Sequence, residues 1–576
     1  MRPAGIRRAG PRALLLDCRS LEAVLAVHAQ LQRHPLHGQV DVLAAARTVL
    51  AVFDSAAAAR AAHGAIAGLD AAPPQDAAAA GRPIRIEVVY DGEDLAEVGR
   101  LTGLDPDGVV SAHTGQLWTA AFGGFAPGFA YLVGENEVLS VPRRDTPRTA
   151  VPAGAVGLAG PFSAVYPRRS PGGWQLIGRT AAALWDLERA EPALLRPGAV
   201  VQYVAVREVV TVQHRAERHR TGLHRTELHR TGGGTPTTGS DPSGDTDCSL
   251  TVVTPGPQSL LQDLGRPGLA DLGVPTAGAA DTAGARQANR LVGNGPDDAV
   301  IETLLGGLAV TAGGELTVAL AGAVAPAEIT RAGAEPRPAP MYSPFALHDG
   351  ETLRLDPPEV GLRTYLAVRG GIDVPPVLGS RSTDVLSGLG PPPLITGTVL
   401  PIGTVGHGRT VGAPESSTLP AALRHGSAGS RRPEPVELRI TDGPRQDWFT
   451  DASRQRLTDQ TWTVTAESNR IGVRLALGDT AGRTRERRDT PLERSTTDEL
   501  PSEGVVAGSL QVPPSGLPVV FLADHPVTGG YPVIGVVVPE DLPVAAQLPP
   551  GTTVRFRAVD PDTLLPLGRP PTTRTP

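Results

Sequence analysis

The sequence predicts a mainly β protein with α+β content, in which closed β-barrels follow one small α+β unit. Three observations carry this. Apolar runs are short and bounded by turn residues, with 68 Gly and 57 Pro among 576 residues, which reads as many short strands rather than general disorder. Residues 12 to 70 alternate strand-like with helix-like patterns, and helices elsewhere are few. The two ends of the chain also repeat one pattern.

The α+β unit comes first. ALLLD is strand-like, SLEAVLAVHAQLQR puts Leu21, Val24, Leu25, His28 and Leu31 on one helical face, TVLAVF is a second strand, and the Ala-rich run from Ser55 to Leu69 is a second helix. His28 reads as a core histidine. After an Ala/Pro linker, AAPPQDAAAAGRP, the segment IRIEVVY alternates as a half-buried strand. Asp105 followed by Pro106 predicts an N-cap and first helical residue, which places His113 near the end of a short helix. The stretch FGGFAPGFAYL holds three of the nine Phe and one of the seven Tyr. Its glycines and proline break both periods, so it is expected as an irregular loop, either shaped over a small-molecule site or a buried turn.

From Arg207 to Asp247 the composition changes, and His214, His219, His224 and His229 recur every five residues. That step turns about 140° on a helix and scatters the rings, so the run reads as a low-complexity linker rather than a metal site. On either side of it the pattern repeats. Val151-Pro152, Gly172-Gly173-Trp174-Gln175-Leu176-Ile177-Gly178 and Pro197-Gly198 in the first half correspond to Val512-Pro513, Gly529-Gly530-Tyr531-Pro532-Val533-Ile534-Gly535 and Pro550-Gly551 in the second. A duplicated β-rich unit follows, and closure into barrels removes exposed strand edges.

Composition removes several function classes. Net charge −7 argues against nucleic acid, and no run approaches the roughly 18 apolar residues of a membrane span. The apolar run Ala13 to Leu16 is too short for a signal peptide. Cys18 and Cys248 lack metal-ligand spacing and fit a reducing cytoplasm, the expected location. All 53 basic residues are arginine. Without lysine there is no phosphate-loop lysine, Schiff base, Ser-Ser-Lys amidase triad or biotinyl lysine.

The runs HTGQLWTAAFGGFAPGFAYL, VPRRDTPRTAVPAGAVGLAG and YPRRSPGGWQLIGRT resemble the B subunit of bacterial ATP-dependent 5-oxoprolinase, also called allophanate hydrolase subunit 1-like. The runs TPGPQSLLQDLGRPGLADLGVPTAGAADTAGARQANRLVGN, ESNRIGVRL and SEGVVAGSLQVPPSGLPVVFLADHPVTGGYPVIG resemble the C subunit of the same enzyme. The resemblance implies cyclophilin-like barrels, one in the first half and two in the second. The expected map is an α+β domain over 1–78, a barrel over 79–206, a disordered linker over 207–249, barrels over 250–432 and 433–562, and a tail over 563–576. It also implies ATP with Mg2+, a separate partner like the A subunit that completes ring opening, and no biotin attached to this chain. Self-association is open. Related domains form carboxyltransferases of urea amidolyases and a kinase-inhibitor pair, so a carboxyltransferase served by another biotin protein and a non-catalytic regulatory module remain alternatives.

Phosphorylating an amide oxygen needs cations and aimed donors. Arg144, Arg148 and Arg179 lie inside the matching motifs and are candidate catalytic cations, the alternative being structural ion pairs. The neighbouring Arg143, Arg168 and Arg169 read as solvated surface. His113 is a candidate base or phosphate donor, or a structural histidine. Phe125, Pro127, Gly128, Tyr131, Ser170, Gly172, Gly173 and Gln175 are candidate binding residues around the same place. In the second half the candidates are Gln262, Asp263, Arg266, Asn289, Glu302, Asn469, Arg470, Arg474, Asp524, Thr528 and Tyr531. Glu302 lies in the apolar run AVIETLL, where a buried carboxylate needs a partner or ligand. Asp281 reads as the N-cap of a helix from Thr282 to Val292.

Overall fold

The computed structural model describes all residues except 73–81, 145, 147, 209–247, 406–408, 421–422, 424–433, 479–488 and 568–576. The linker with its four regularly spaced histidines, most of the Ala/Pro linker and most of the tail lie outside the described residues.

The first unit is an antiparallel sheet of β1 (Gly5–Arg8), β2 (Ala13–Asp17), β4 (Thr48–Phe53) and β3 (Gln39–Ala44), in that spatial order, with α1 (Leu21–Arg33) and α2 (Ala56–Ala67). Ser20 caps α1 and Ser55 caps α2, each accepting from the amide three residues on. Val24, His28 and Leu31 form the buried face of α1.

The next unit contains β5 (Ile84–Val88), α3 (Leu95–Thr102), α4 (Pro106–Thr114), β6 (Trp118–Gly124), β7 (Ala126–Gly134), β8 (Arg148–Val151), β9 (Ala155–Ala159), β10 (Phe162–Val165), β11 (Ser170–Gly172), β12 (Gln175–Arg179) and β13 (Val200–Ala205). Seven of these strands form one sheet in the order β12-β9-β10-β7-β6-β13-β5, and a bridge between Val89 and Arg179 joins its two edges, giving a near-closed barrel.

The expected irregular loop is instead an antiparallel hairpin of β6 and β7. Only Phe125 at its tip has a positive φ among the non-glycine residues there, 64°, and two register shifts absorb the glycines. The glycines serve close approach: a Cβ on Gly123 would collide with the backbone of Asp271, and one on Gly124 would meet Thr528.

The third unit has a six-stranded sheet and a five-stranded sheet around one core that includes Leu250, Ile301, Val318 and Leu366. Helix Thr282–Val292 packs on its strands Leu316–Val324 and Val360–Val368. The fourth unit is a closed seven-stranded barrel built from strands between Val436 and Ala558. The fold is therefore mainly β, with a small α+β unit at its start.

The repeat read from sequence is a structural repeat. In each barrel the final strand pairs in parallel with the first, β13 with β5 and Thr553–Ala558 with Val436–Asp442. The tryptophan opening β6, Trp118, donates from Nε1 to the carbonyl of His113 at 2.9 Å, while Trp462 donates to the carbonyl of Leu457 at 3.1 Å. His113 thus stands where the other barrel has a core leucine.

The two halves pack together. Phe125 donates its amide to Thr528 Oγ1 at 3.1 Å, Asp41 accepts from the amides of Gly268 and Ala270, and Arg445 pairs with Asp17 and Glu503. Among the described residues no helix is long and apolar enough to cross a membrane.

Candidate functional site

The arginines expected in the first half are held by carboxylates. Asp94, at the start of α3, accepts from Arg144 Nη1 at 2.6 Å, from Arg148 Nη2 at 2.8 Å and from the amide of Leu176 at 2.7 Å. This gives both guanidiniums a structural partner. Arg179 pairs with Asp91 on the surface at 2.8 Å and joins neither.

His113 is fully buried. Its Nδ1 meets Tyr90 Oη at 2.7 Å, its Nε2 meets Ser163 Oγ at 3.0 Å, and its ring stacks on Tyr203. Burial pushes its pKa down to about 3, so it stays neutral, with both nitrogens engaged inside the barrel.

The aromatics form a packed cluster rather than a lid. Tyr131 stacks on Phe122 at 4.4 Å and meets Phe129, Phe162 and Trp174 edge-on, and Phe125 meets Phe129 and Tyr166. Pro127 is buried within β7, and Gly128 has φ 77°, where a Cβ would press on Leu184 and Trp185. Ser170 donates to the carbonyl of Arg168, Gly172 lies against the Tyr166 hydroxyl, Gly173 accepts from the amide of Arg144, and Gln175 donates to the carbonyl of Pro142.

In the second half the structure builds a buried charge network. Arg470, 1 % exposed, donates to both oxygens of Asp524 at 2.8 and 3.0 Å, to Glu302 at 2.5 Å and to the carbonyl of Gly278 at 2.6 Å. Glu302 also accepts from Tyr365 Oη and the amide of Ala280, with Arg363 at 3.5 Å. Burial would raise the Glu302 pKa, but Arg470 and Arg363 outweigh it and hold the carboxyl below its ordinary value. Glu302 belongs to the third unit, and Arg470 and Asp524 to the fourth, so the network spans both.

Asp263 and Arg266 organise a turn beside this network. Asp263 accepts from Ser380 Oγ, Ser382 Oγ and the amides of Arg381 and Gly265. Arg266 donates to the carbonyls of Val377 and Ser382, and Gln262 to that of Thr383. Asn289 donates to the carbonyl of Asp298 and Asn469 caps the turn at Ile471, which are structural placements. Arg474 is exposed, and Tyr531 lies on the surface with Arg494 over its ring at 5.7 Å.

A cavity of about 710 Å3 lies between the α+β unit, residues 264–286 and the fourth unit. Leu264, Pro267, Ala279, Ala280, Ala523 and His525 line it, and these neighbour Arg266, Glu302 and Asp524 in sequence or by hydrogen bond, so the charge network stands behind its wall. His525 Nδ1 bonds to the carbonyl of Pro526 at 2.8 Å, which places the proton there and leaves Nε2 as an acceptor. Burial lowers its pKa and keeps it neutral. Asp41 also lines the cavity, and burial pushes its pKa up to about 6. None of the residues singled out from sequence as site residues lines this cavity. Among the described residues no group of three or more histidine, cysteine or carboxylate side chains could hold a metal, so no protein ligands are assigned to the magnesium expected with ATP.

Sequence reasoning missed Asp94 and Asp384, left the role of His525 open, and placed Arg168 on the surface. Asp94 sits at a helix start and looks like an ordinary N-cap, yet it makes no capping bond to α3. The sequence carries no sign of its partners, which lie 50 and 54 residues away.

The family matches define the class, a protein of carboxyltransferase-type domains. The chain belongs to the carboxyltransferase-domain family: subdomains C and D match residues 4–195, and subdomains A and B match residues 272–558. Within the family it is similar to the C subunit of 5-oxoprolinase from Escherichia coli K12, 34 % identical over 53 % of this chain and 90 % of the relative. It is also similar to the B subunit of 5-oxoprolinase from Escherichia coli O157:H7, 49 % identical over 22 % of this chain and 61 % of the relative. The order matches a fusion of B and C. Urea amidolyase of Lachancea kluyveri is 32 % identical over 54 % of this chain and only 17 % of its own length. The crystal structure of TTHA0988 superposes with a TM-score of 0.74 at 32 % identity, over 95 % of this chain and 99 % of that one.

Proposed function

We propose that this chain is the B and C part of an ATP-dependent 5-oxoprolinase, a lactam hydrolase that converts 5-oxoproline to glutamate together with a separate A-subunit-like protein. The observation that supports this reading best is that halves similar to the B and C subunits pack as one body, with the Phe125–Thr528 contact and the Asp17–Arg445–Glu503 cluster across the joint. ATP, when bound, would supply the phosphoryl group that activates the lactam oxygen, and cationic and backbone N–H donors of the chain would offset the developing charge. The likeness to urea amidolyases favours a second reading, a carboxyltransferase that takes its carboxyl group from biotin on another protein. Phosphate release from ATP by the chain mixed with an A-subunit-like protein, with and without 5-oxoproline, separates the two. Stimulation by 5-oxoproline supports the first reading. Its absence, with carboxyl transfer from carboxybiotin present, replaces it with the second.

A further inference from the structure

Three buried polar atoms from three segments lack a partner around one turn at the seam between the halves. Arg168 Nε comes from the first half, and Arg266 Nη1 and Asp384 Oδ2 from the second. None has a hydrogen-bond partner among the described residues. The turn from Asp384 to Gly390 carries Asp384 and lies against both arginines. Asp384 Oδ1 accepts from the amides of Leu386 and Ser387, its own amide bonds to the carbonyl of Leu389, and Asp524 accepts from the amide of Val385. Arg168 Nη1 lies 3.6 Å from the position of a Cβ on Gly388, and Arg266 Nη2 lies 3.2 Å from that of a Cβ on Gly390. Both glycines have positive φ, 66° and 81°, so the turn closes against the two guanidiniums with no side chain between them.

Arg266 is 2 % exposed and Asp384 is 1 % exposed, and Arg168 is half-buried. Asp384 is near enough to influence the charge of both arginines. Neither forms an ion pair within 4.0 Å among the described residues, in contrast to Arg148, Arg445 and Arg470. Arg266 already donates from Nε and Nη2 to the carbonyls of Val377 and Ser382, so what it lacks is an acceptor for Nη1, as Arg168 does for Nε. A buried N–H left without an acceptor is costly, and a ligand that supplies one is favoured there. The set is two cationic donor groups and one carboxylate acceptor. A bare phosphate satisfies the donors but is repelled by Asp384. A carboxylate with an N–H on the adjacent carbon satisfies all three.

We propose that Arg168, Arg266 and Asp384 form a binding site for a small carboxylate bearing an α-N–H, with the guanidiniums on the carboxylate and Asp384 Oδ2 accepting the N–H. This rests on the oxoprolinase reading for its natural ligand, since 5-oxoproline is such a molecule. The site exists only where the two halves meet.

The test uses the full chain with its A-subunit-like partner, and equilibrium binding to the chain alone. The probes are 5-oxoproline, tetrahydrofuran-2-carboxylate, which has ring oxygen in place of N–H, and inorganic phosphate. Wild type is expected to bind 5-oxoproline at least 10-fold more tightly than either alternative. Arg168→Gln and Arg266→Gln are expected to raise the KM for 5-oxoproline at least 10-fold, and Asp384→Asn to remove the preference for N–H over ring oxygen. Arg168→Gln should leave the melting temperature equal or higher, whereas a merely structural arginine would lower it. Turnover of 5-oxoproline with KM unchanged in Arg168→Gln overturns this site and leaves the oxoprolinase reading standing. Tight binding of phosphate or tetrahydrofuran-2-carboxylate, equal to that of 5-oxoproline, overturns the N–H assignment. No turnover of 5-oxoproline by wild type, with other α-N–H carboxylates still bound through Arg168, overturns the oxoprolinase reading and leaves the site. No binding of any such carboxylate overturns the site itself.

Discussion

Arg148 and Glu503 occupy the same position of the repeated barrel with opposite charges. Arg148 faces Gly172 across its strand pair and bonds Asp94, while Glu503 faces Gly529 and bonds Arg445. Asp94 and Arg445 correspond as well, each donating its amide to the strand that follows the Gly-Gly turn, at Leu176 and Val533. The ion pair therefore recurs with its sign reversed. What the two barrels share is the link between these loops, which makes Arg148 a structural partner of Asp94.

Replacing Arg148 by Ala should cost about 2–3 kcal/mol of stability, less than the loss of a sole buried partner, because Arg144 still holds Asp94. Adding Asp94→Asn should recover part of the loss, since asparagine can still accept from the amide of Leu176. Urea denaturation of the single and double variants checks this. A loss below about 0.5 kcal/mol in the single variant, typical of a surface position, would show that the pair is not structural.

His113 predicts an acid sensitivity. Its folded pKa is depressed to about 3, against about 6.5 in an unfolded chain. The folded state keeps the ring neutral while the unfolded state takes up a proton below about pH 6.5. Stability should therefore be independent of this group above pH 7 and fall as pH drops below 6.5, by at most about 1.4 kcal/mol per pH unit. The difference in urea stability between wild type and His113→Gln isolates the effect, and should narrow steadily from pH 6.5 to 4. A constant difference would mean that the imidazole is charged or solvated in the fold.

The Arg470 network should carry the junction of the third and fourth units. Arg470→Met leaves Glu302 and Asp524 buried without their cation, and should cost about 3–5 kcal/mol. The second of the three variants to test, Glu302→Gln, should cost less because Tyr365 and Ala280 can still bond the amide oxygen. The third, Arg474→Ala on the exposed surface, should change stability by less than about 0.5 kcal/mol. Equal effects of Arg470→Met and Arg474→Ala in thermal denaturation would contradict the network's role.

How much was legible follows from range. The helices and main strands of the α+β unit, the N-cap at Asp105 and the repeat were readable because capping and periodicity act within a few residues. The hairpin at Phe122–Leu132 was not, because Gly123 and Gly124 answer to Asp271 and Thr528 in the other half, and Gly128 to Leu184 and Trp185, rather than to a local turn. Glu302 announced its need for a partner through its apolar neighbours, but Arg470, 168 residues away, could not be named from them. Arg168 looked solvated because polar surface and an inter-half seam have the same composition.

Cutting the chain within residues 209–247 should leave the halves associated. The contacts of Phe125 with Thr528, Asp41 with Gly268 and Ala270, and Asp17 with Arg445 do not depend on that segment. Size-exclusion chromatography after limited proteolysis should show both fragments in one peak at the mass of the intact chain. Separate peaks would contradict the packing of the halves as one body.

The most direct measurement of the central claim is glutamate formed and phosphate released when the chain, an A-subunit-like protein, ATP and 5-oxoproline are combined, with each protein omitted in turn. The oxoprolinase account predicts equimolar glutamate and phosphate, dependent on both proteins and on 5-oxoproline. Phosphate release that ignores 5-oxoproline, or no glutamate with both proteins present and folded, would contradict it.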